Sequence, residues 1–186
     1  MVQLPTKRQF TVREYRRIAD AGVFGPHDRV ELIAGEIIEM PPIGSHHAVC
    51  VARLDRLFNR LAGDDVVVWI QNPLLLDDQS EPLPDVMLLK GTTELYLDEH
   101  PRPAAVLLLV EVSDTSLQYD RGTKLPMYAA AGIPEVWIID LAARQIDIYR
   151  DPAGRSYFTH SACQGKDLLA PRLLPSISLT ADQIVG

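Results

Sequence analysis

Asp85, in SEPLPDVMLLK, opens one apolar run, and Glu111, in AAVLLLVEVSD, closes the next. A buried carboxylate without a partner is expensive, because the charge loses its water and gains nothing in return. The two acids therefore need a neutraliser. If the two runs pair as antiparallel strands, the start of the first lies beside the end of the second, and both carboxylates meet at one end of a sheet. Directly opposed side chains have Cβ atoms about 4.5–5.5 Å apart, where like charges repel. A divalent cation removes that repulsion. Mg2+ suits the position, since it accepts oxygen from one or two carboxylates, keeps several waters and binds phosphate oxygens. A proton shared between the acids, with one pKa raised, is the other solution, and spacing does not choose between them.

Two further residues belong to the same neighbourhood. Ser113 follows Glu111 on the same strand face if the strand continues. Lys124 approaches that end from the first turn of the next helix. An ammonium group beside an activated water and a phosphate can hold the attacking oxygen and offset transition-state charge. Two acids, a cation site and a lysine are a constellation for phosphodiester hydrolysis. No serine stands in a GxSxG context, and neither GxGxxG nor GxxxxGK[ST] occurs, so serine-hydrolase and nucleotide-cofactor chemistry have no support.

These residues must be positioned by regular elements. TVREYRRIADAG carries Thr11 and Glu14 in capping-box spacing and predicts an N-terminal helix stopped by Gly22. RVELIAGEIIEM reads as a hairpin about Ala34 and Gly35; with Ile33 opposite Glu36, the acids Glu31 and Glu36 share a face with Ile33 and Ile38. PPIGSHH is a loop, with Ser45 as the expected cap of a helix from His47 to Leu61 that Gly63 ends. On that helix Arg53, Arg56 and Arg60 align along one side, as a solvated face or a local basic patch. DVVVWIQNPLLL predicts a strand, and strands beginning near Asp85 and ending near Glu111 follow. Lys124, Tyr128 and Ala131 recur at helical spacing before Gly132, and Pro126 is tolerated only in a first turn, so this helix should begin near Thr123. PEVWIIDL and RQIDIYR are strands, SYFTHSAC and LPSISLT one or two edge strands, and Trp69 and Trp137 core residues. Helix, three strands, helix, strand implies an α/β class, a mixed sheet with helices packed on it.

Composition bounds what such a molecule does. A chain of 186 residues, 47% apolar and 23% charged, is expected to form one globular domain over 1–186. Its formal charge of −7 argues against a protein that coats nucleic acid indiscriminately. MVQLPTKRQF has no apolar region of a secretory leader, and Ala104–Val110 is too short to span a bilayer. Cys50 and Cys163 lack CxxC or metal-ligand spacing, as expected for reduced thiols in a cytoplasmic protein that does not contact membranes.

LPDV with Asp85 and VEVS with Glu111, set between a helix and a helix–strand pair, resemble the PD-(D/E)XK nuclease superfamily. VELIAGEIIEM, PPIGSHHA, QNPLLLDDQSEPLPDVMLL, EVSDTSLQYDRGTKLPMYAAAGIPEVWIID and IYRDP are similar, more closely, to the Uma-type family of small bacterial restriction-endonuclease-like proteins. The resemblance covers a core of about residues 30–152. It implies a restriction-endonuclease-like fold, a homodimer, Mg2+ (or Mn2+) dependence and DNA as substrate. It also implies Asp85, Glu111 and the backbone carbonyl of Val112 as metal ligands, Lys124 as the catalytic lysine, and Glu31 and His47 as additional site residues. One departure stands out: the superfamily pattern places lysine two residues after the acid, where this chain has Ser113. That departure, with the net acidity, suits an alternative: a catalytically inactive dimeric module that binds nucleic acid or protein on the nuclease fold. RNA in place of DNA is a further alternative.

Overall fold

The computed structural model describes residues 6–25 and 28–186; residues 1–5, part of the stretch MVQLPTKRQF, lie outside it. Helix α1 (Val12–Asp20) starts on the reciprocal box its sequence predicts: the Thr11 side chain accepts from the Glu14 N–H, and the Glu14 carboxylate accepts from the Thr11 N–H. Strands β1 (Val30–Ile33) and β2 (Glu36–Glu39) pair with Ile33 opposite Glu36 and Glu31 opposite Ile38. Their turn needs positive φ at both central residues, which Ala34 (49°) and Gly35 (78°) supply. Only glycine fits the second position, because a Cβ there would lie 2.6 Å from that of Gln9.

Six strands form the main sheet in the order β3 (Val66–Ile70), β4 (Val86–Lys90), β5 (Val106–Ser113), β6 (Glu135–Asp140), β7 (Gln145–Ala153) and β8 (Ser156–Gln164). All neighbours are antiparallel except β5 and β6, whose parallel pairing requires a crossover. The mixed α/β architecture predicted from sequence is thus the one observed. Helix α2 (Ser45–Leu61) covers one face, packing Leu54 and Phe58 on Val86, Leu88, Leu108 and Val110. The crossover covers part of the other, where Tyr128 and Ile133 pack with Met87, Leu109, Val136 and Ile138. Burial on both faces explains why β4 and β5 read as continuous apolar runs rather than alternating ones.

Several local expectations are corrected. The N-cap of α2 is Gly44, which makes no side-chain cap bond, and Ser45 is already helical. The crossover helix starts at α3 (Leu117–Tyr119), passes through a π-helical turn at Asp120–Lys124 and continues as α4 (Leu125–Ala130). Pro126 therefore does not open the helix. It follows a widened turn in which the Leu125 N–H donates to the Asp120 carbonyl five residues back, and widening relieves the clash a proline ring makes with the preceding turn. In the tail, SYFTHSAC is the edge strand β8. Residues from LPSISLT instead pair apart from the sheet, as β10 (Leu179–Thr180) with β9 (Leu168–Leu169). A last helix, α5 (Ala181–Val185), begins on a second capping box between Thr180 and Gln183. Trp137 is fully buried, whereas Trp69 is only partly so. Among the described residues no helix is long and apolar enough to cross a membrane.

Candidate functional site

The antiparallel register of β4 and β5 sets Val86 opposite Val110, and one step further brings Asp85 beside Glu111. Asp85 is 7% exposed and Glu111 2%. The Asp85 carboxylate is held on three sides: Oδ1 lies 3.0 Å from His47 Nε2 and 3.1 Å from the Gln71 amide, and Oδ2 accepts from the Val112 N–H at 2.9 Å. Val112 turns this way for a backbone reason. The Ser113 carbonyl accepts from Leu141 on the β6 side, so alternation along the strand directs the N–H and C=O of Val112 toward Asp85.

Lys124 completes the corner. Its Nζ lies 3.2 Å from Glu111 Oε1 and 3.2 Å from Glu31 Oε2, with 3% of the side chain exposed. Glu31 comes from outside the main sheet, on β1, and is itself fixed by the Leu83 N–H at 3.1 Å and the Tyr119 hydroxyl at 3.3 Å. The Tyr128 hydroxyl donates to Glu111 Oε1 at 2.6 Å. Both hydrogen bonds of Glu111 thus fall on Oε1, and Oε2 has no partner among the described residues. Ser113, in the position where the nuclease pattern has lysine, donates through Oγ to Asp120 Oδ2 at 2.7 Å, and Ser116 does so at 2.5 Å. A cavity of about 130 Å³ opens onto these groups, lined by His47, Asp85, Glu111, Val112, Asp120 and Lys124 among others.

Environment drives the two acids apart. Burial pushes the Glu111 carboxyl up to about 8, against the opposing pull of the Lys124 ammonium. Burial also opposes the charge on Asp85, but the His47 contact, the Val112 N–H and the Gln71 amide outweigh it and hold that carboxyl below the usual range. Burial alone would lower Lys124; the surrounding Glu111, Glu31, Asp120 and Asp85 reverse the sign and keep it protonated. Asp85 and Glu111 are thus pulled in opposite directions beside one buried ammonium.

Each residue singled out from the sequence, Asp85, Glu111, Val112, Lys124, Glu31 and His47, lies at this corner. Sequence reasoning missed Gln71, Tyr128, Ser116 and Asp120. Tyr128 sits one helical turn after Lys124, a spacing that could have flagged it; the others depend on loop and π-turn geometry that leaves no local signal. Among the described residues no three His, Cys, Asp or Glu side chains gather in a way that could hold a metal. Two carboxylates and a carbonyl, all oxygen, with Glu111 Oε2 unpartnered, nevertheless fit a hard cation that retains most of its own waters.

The family whose model matches the chain, over residues 12–182, is described as Uma2, putative restriction endonuclease. No curated protein matches it. Among solved structures it is similar to a putative nuclease of the DUF820 group from Anabaena variabilis. That match has a TM-score of 0.73 at 14% identity, covering 95% of this chain and 97% of that one. Similarity at that identity establishes the shared fold.

Proposed function

The chain belongs to the Uma2 family of putative restriction endonucleases, and from that premise we propose that it is a metal-dependent DNA endonuclease. The family description supports a nuclease acting on nucleic acid, and restriction-endonuclease-like nucleases generally use divalent metals. The observation that carries the reading is the position of Lys124 Nζ, 3.2 Å from Glu111 and lining the same cavity as Asp85.

In this reading Asp85, Glu111 and the Val112 carbonyl hold Mg2+ or Mn2+, which when bound supplies Lewis-acid polarisation of the phosphate and a more acidic water. The chain's own groups do the rest. His47, Gln71 and the Val112 N–H keep Asp85 ionised and oriented. Tyr128 takes one oxygen of Glu111 and leaves the other for the cation. Lys124 Nζ, braced by Glu31, donates to the attacking oxygen or to a phosphate oxygen and offsets charge as it develops. Two further parts belong to the proposal: DNA as substrate, and a homodimer. The nine residues of β8 form a sheet edge without Lys, Asp, Glu or Pro, the residues that usually blunt such edges, which favours self-pairing. Sedimentation velocity reads the oligomeric state directly.

Incubating plasmid with the purified protein, with and without Mg2+ or Mn2+, tests the chemistry. Cleavage should require the ion and fall by roughly 100-fold or more in Asp85→Asn and Glu111→Gln; cleavage that survives both substitutions removes these assignments. A second reading, an inactive binding module, is favoured by Ser113, which stands where the nuclease pattern has lysine and donates to Asp120. Calorimetry separates the two: an active enzyme takes up Mg2+ or Mn2+, and the module takes up neither.

A further inference from the structure

On the same sheet face, two strands from Glu111, lies a second cluster that the proposed chemistry does not use. Register places Glu111 opposite Ile138 on β6, and Ile138 opposite Asp147 on β7. Glu111 and Asp147 therefore stand in one row, about 10 Å apart at ~4.8 Å per strand. The π turn serves both sites, since Lys124 reaches Glu111 while Arg121 pairs with Asp147. Asp147 is 1% exposed and also accepts from His160 Nε2 at 3.0 Å and from the Gln145 amide at 2.9 Å.

Above this buried acid is a cavity of about 260 Å³ lined by Arg121, Tyr149, Arg155, Ser156, Tyr157 and His160, with no acidic side chain on its wall. Arg155 is exposed in the β7–β8 turn and forms no ion pair among the described residues. The Nε of Arg121 is buried without a hydrogen-bond partner. His160 stacks on Tyr149 with ring centroids 4.6 Å apart and planes at 12°, and its side chain is still 51% exposed. Tyr149 also packs against Tyr157 at 6.2 Å. Two guanidinium groups next to a pre-stacked aromatic pair, on a chain of net charge −7, are what a nucleotide of a single strand requires: cations for its phosphate and a ring face for its base.

We propose that the Arg121–Arg155–His160–Tyr149 pocket is a subsite for a single-stranded segment of the nucleic-acid substrate, with phosphate on the arginines and a base on the open face of His160. The inference rests on the nuclease reading. The pocket lies two strands from Glu111, so the subsite engages a flank of the substrate rather than the bond cut. Asp147 orients Arg121 and His160 from beneath without reaching the ligand.

The test measures binding of a short single-stranded oligonucleotide carrying 2-aminopurine to the full chain in EDTA, by anisotropy and by quenching of the base. Arg155→Glu should weaken binding about tenfold and reduce the slope of log affinity against log salt by about 0.7, the loss of one phosphate contact. Arg155→Lys should restore most of that slope. His160→Ala should abolish the quenching, which a purely structural role would leave in place; a cooperative melting transition above the assay temperature shows that each variant is folded. Equal affinity and quenching in wild type, Arg155→Glu and His160→Ala overturn the subsite while leaving metal-dependent cleavage intact. A wild type that binds no oligonucleotide and cleaves no plasmid overturns both proposals.

Discussion

Lys124 is where the largest single-residue effect is expected. It is a cation with 3% exposure between two carboxylates, and removing one partner of a buried pair costs about 3–5 kcal/mol because the remaining charges are stranded. Lys124→Met should lower stability by that amount in urea unfolding at pH 8. The loss should shrink at pH 5, where Glu111 carries a proton instead of a charge. Glu111 sets a second pH dependence. Its folded pKa, about 8, lies above its ordinary value of 4.5, so the proton it carries stabilises the fold. That contribution is fully present below about pH 4.5 and is lost as pH rises through about 8. A metal held by Glu111, as proposed, would have to displace the same proton, so Mn2+ affinity measured by calorimetry should rise about tenfold per pH unit up to pH 8 and then level off. Glu111→Gln should flatten the stability profile over that range and weaken metal binding at every pH.

At the scale of elements, the π turn decides which side chains reach which row of the sheet. Deleting Gly122 would turn Asp120–Lys124 into a regular helical turn and rotate everything before it by ~100° relative to Tyr128. The Tyr119–Glu31 and Arg121–Asp147 contacts would then part. An expected loss of at least about 2 kcal/mol, or roughly 4–8 °C in Tm, is checked by thermal unfolding. The short helix α5 gives a gentler case. Thr180→Ala removes its cap and should cost about 1 kcal/mol. The same helix accepts at the Ile184 carbonyl from Arg53 and lies on Cys50, whose thiol burial pushes up to about 11. Cys50 should accordingly react slowly with a thiol reagent, and faster once Thr180 is replaced.

For the molecule as a whole, what the sequence disclosed divides along physical lines. Long-range geometry was legible where an apolar run and a charged residue coincide. Asp85 and Glu111 at run ends implied an antiparallel pair and a shared corner, and the register of β4 and β5 bears that pairing out. The hairpin register followed from Ala34 and Gly35 at its turn. What was not legible depends on compromises between elements. Pro126 suggested a helix start near Thr123 because a regular helix cannot accept it, but a widened turn can. Ser45 has cap chemistry, yet the chain turns one residue earlier, at Gly44. Helix α5 was missed although Thr180 and Gln183 carried the same signature that was read at Thr11 and Glu14.

Glu31 reaches Lys124 from the hairpin, a piece of structure outside the main sheet. The ammonium therefore has an anchor that is not itself a proposed metal ligand. If a divalent ion were held by Glu111 as proposed, Lys124 would keep its grip on Glu31 and have no reason to swing away. Loading would then be an ion exchange in a rigid socket rather than a rearrangement, and crystals grown with and without Mn2+ should superimpose at this corner to within coordinate error.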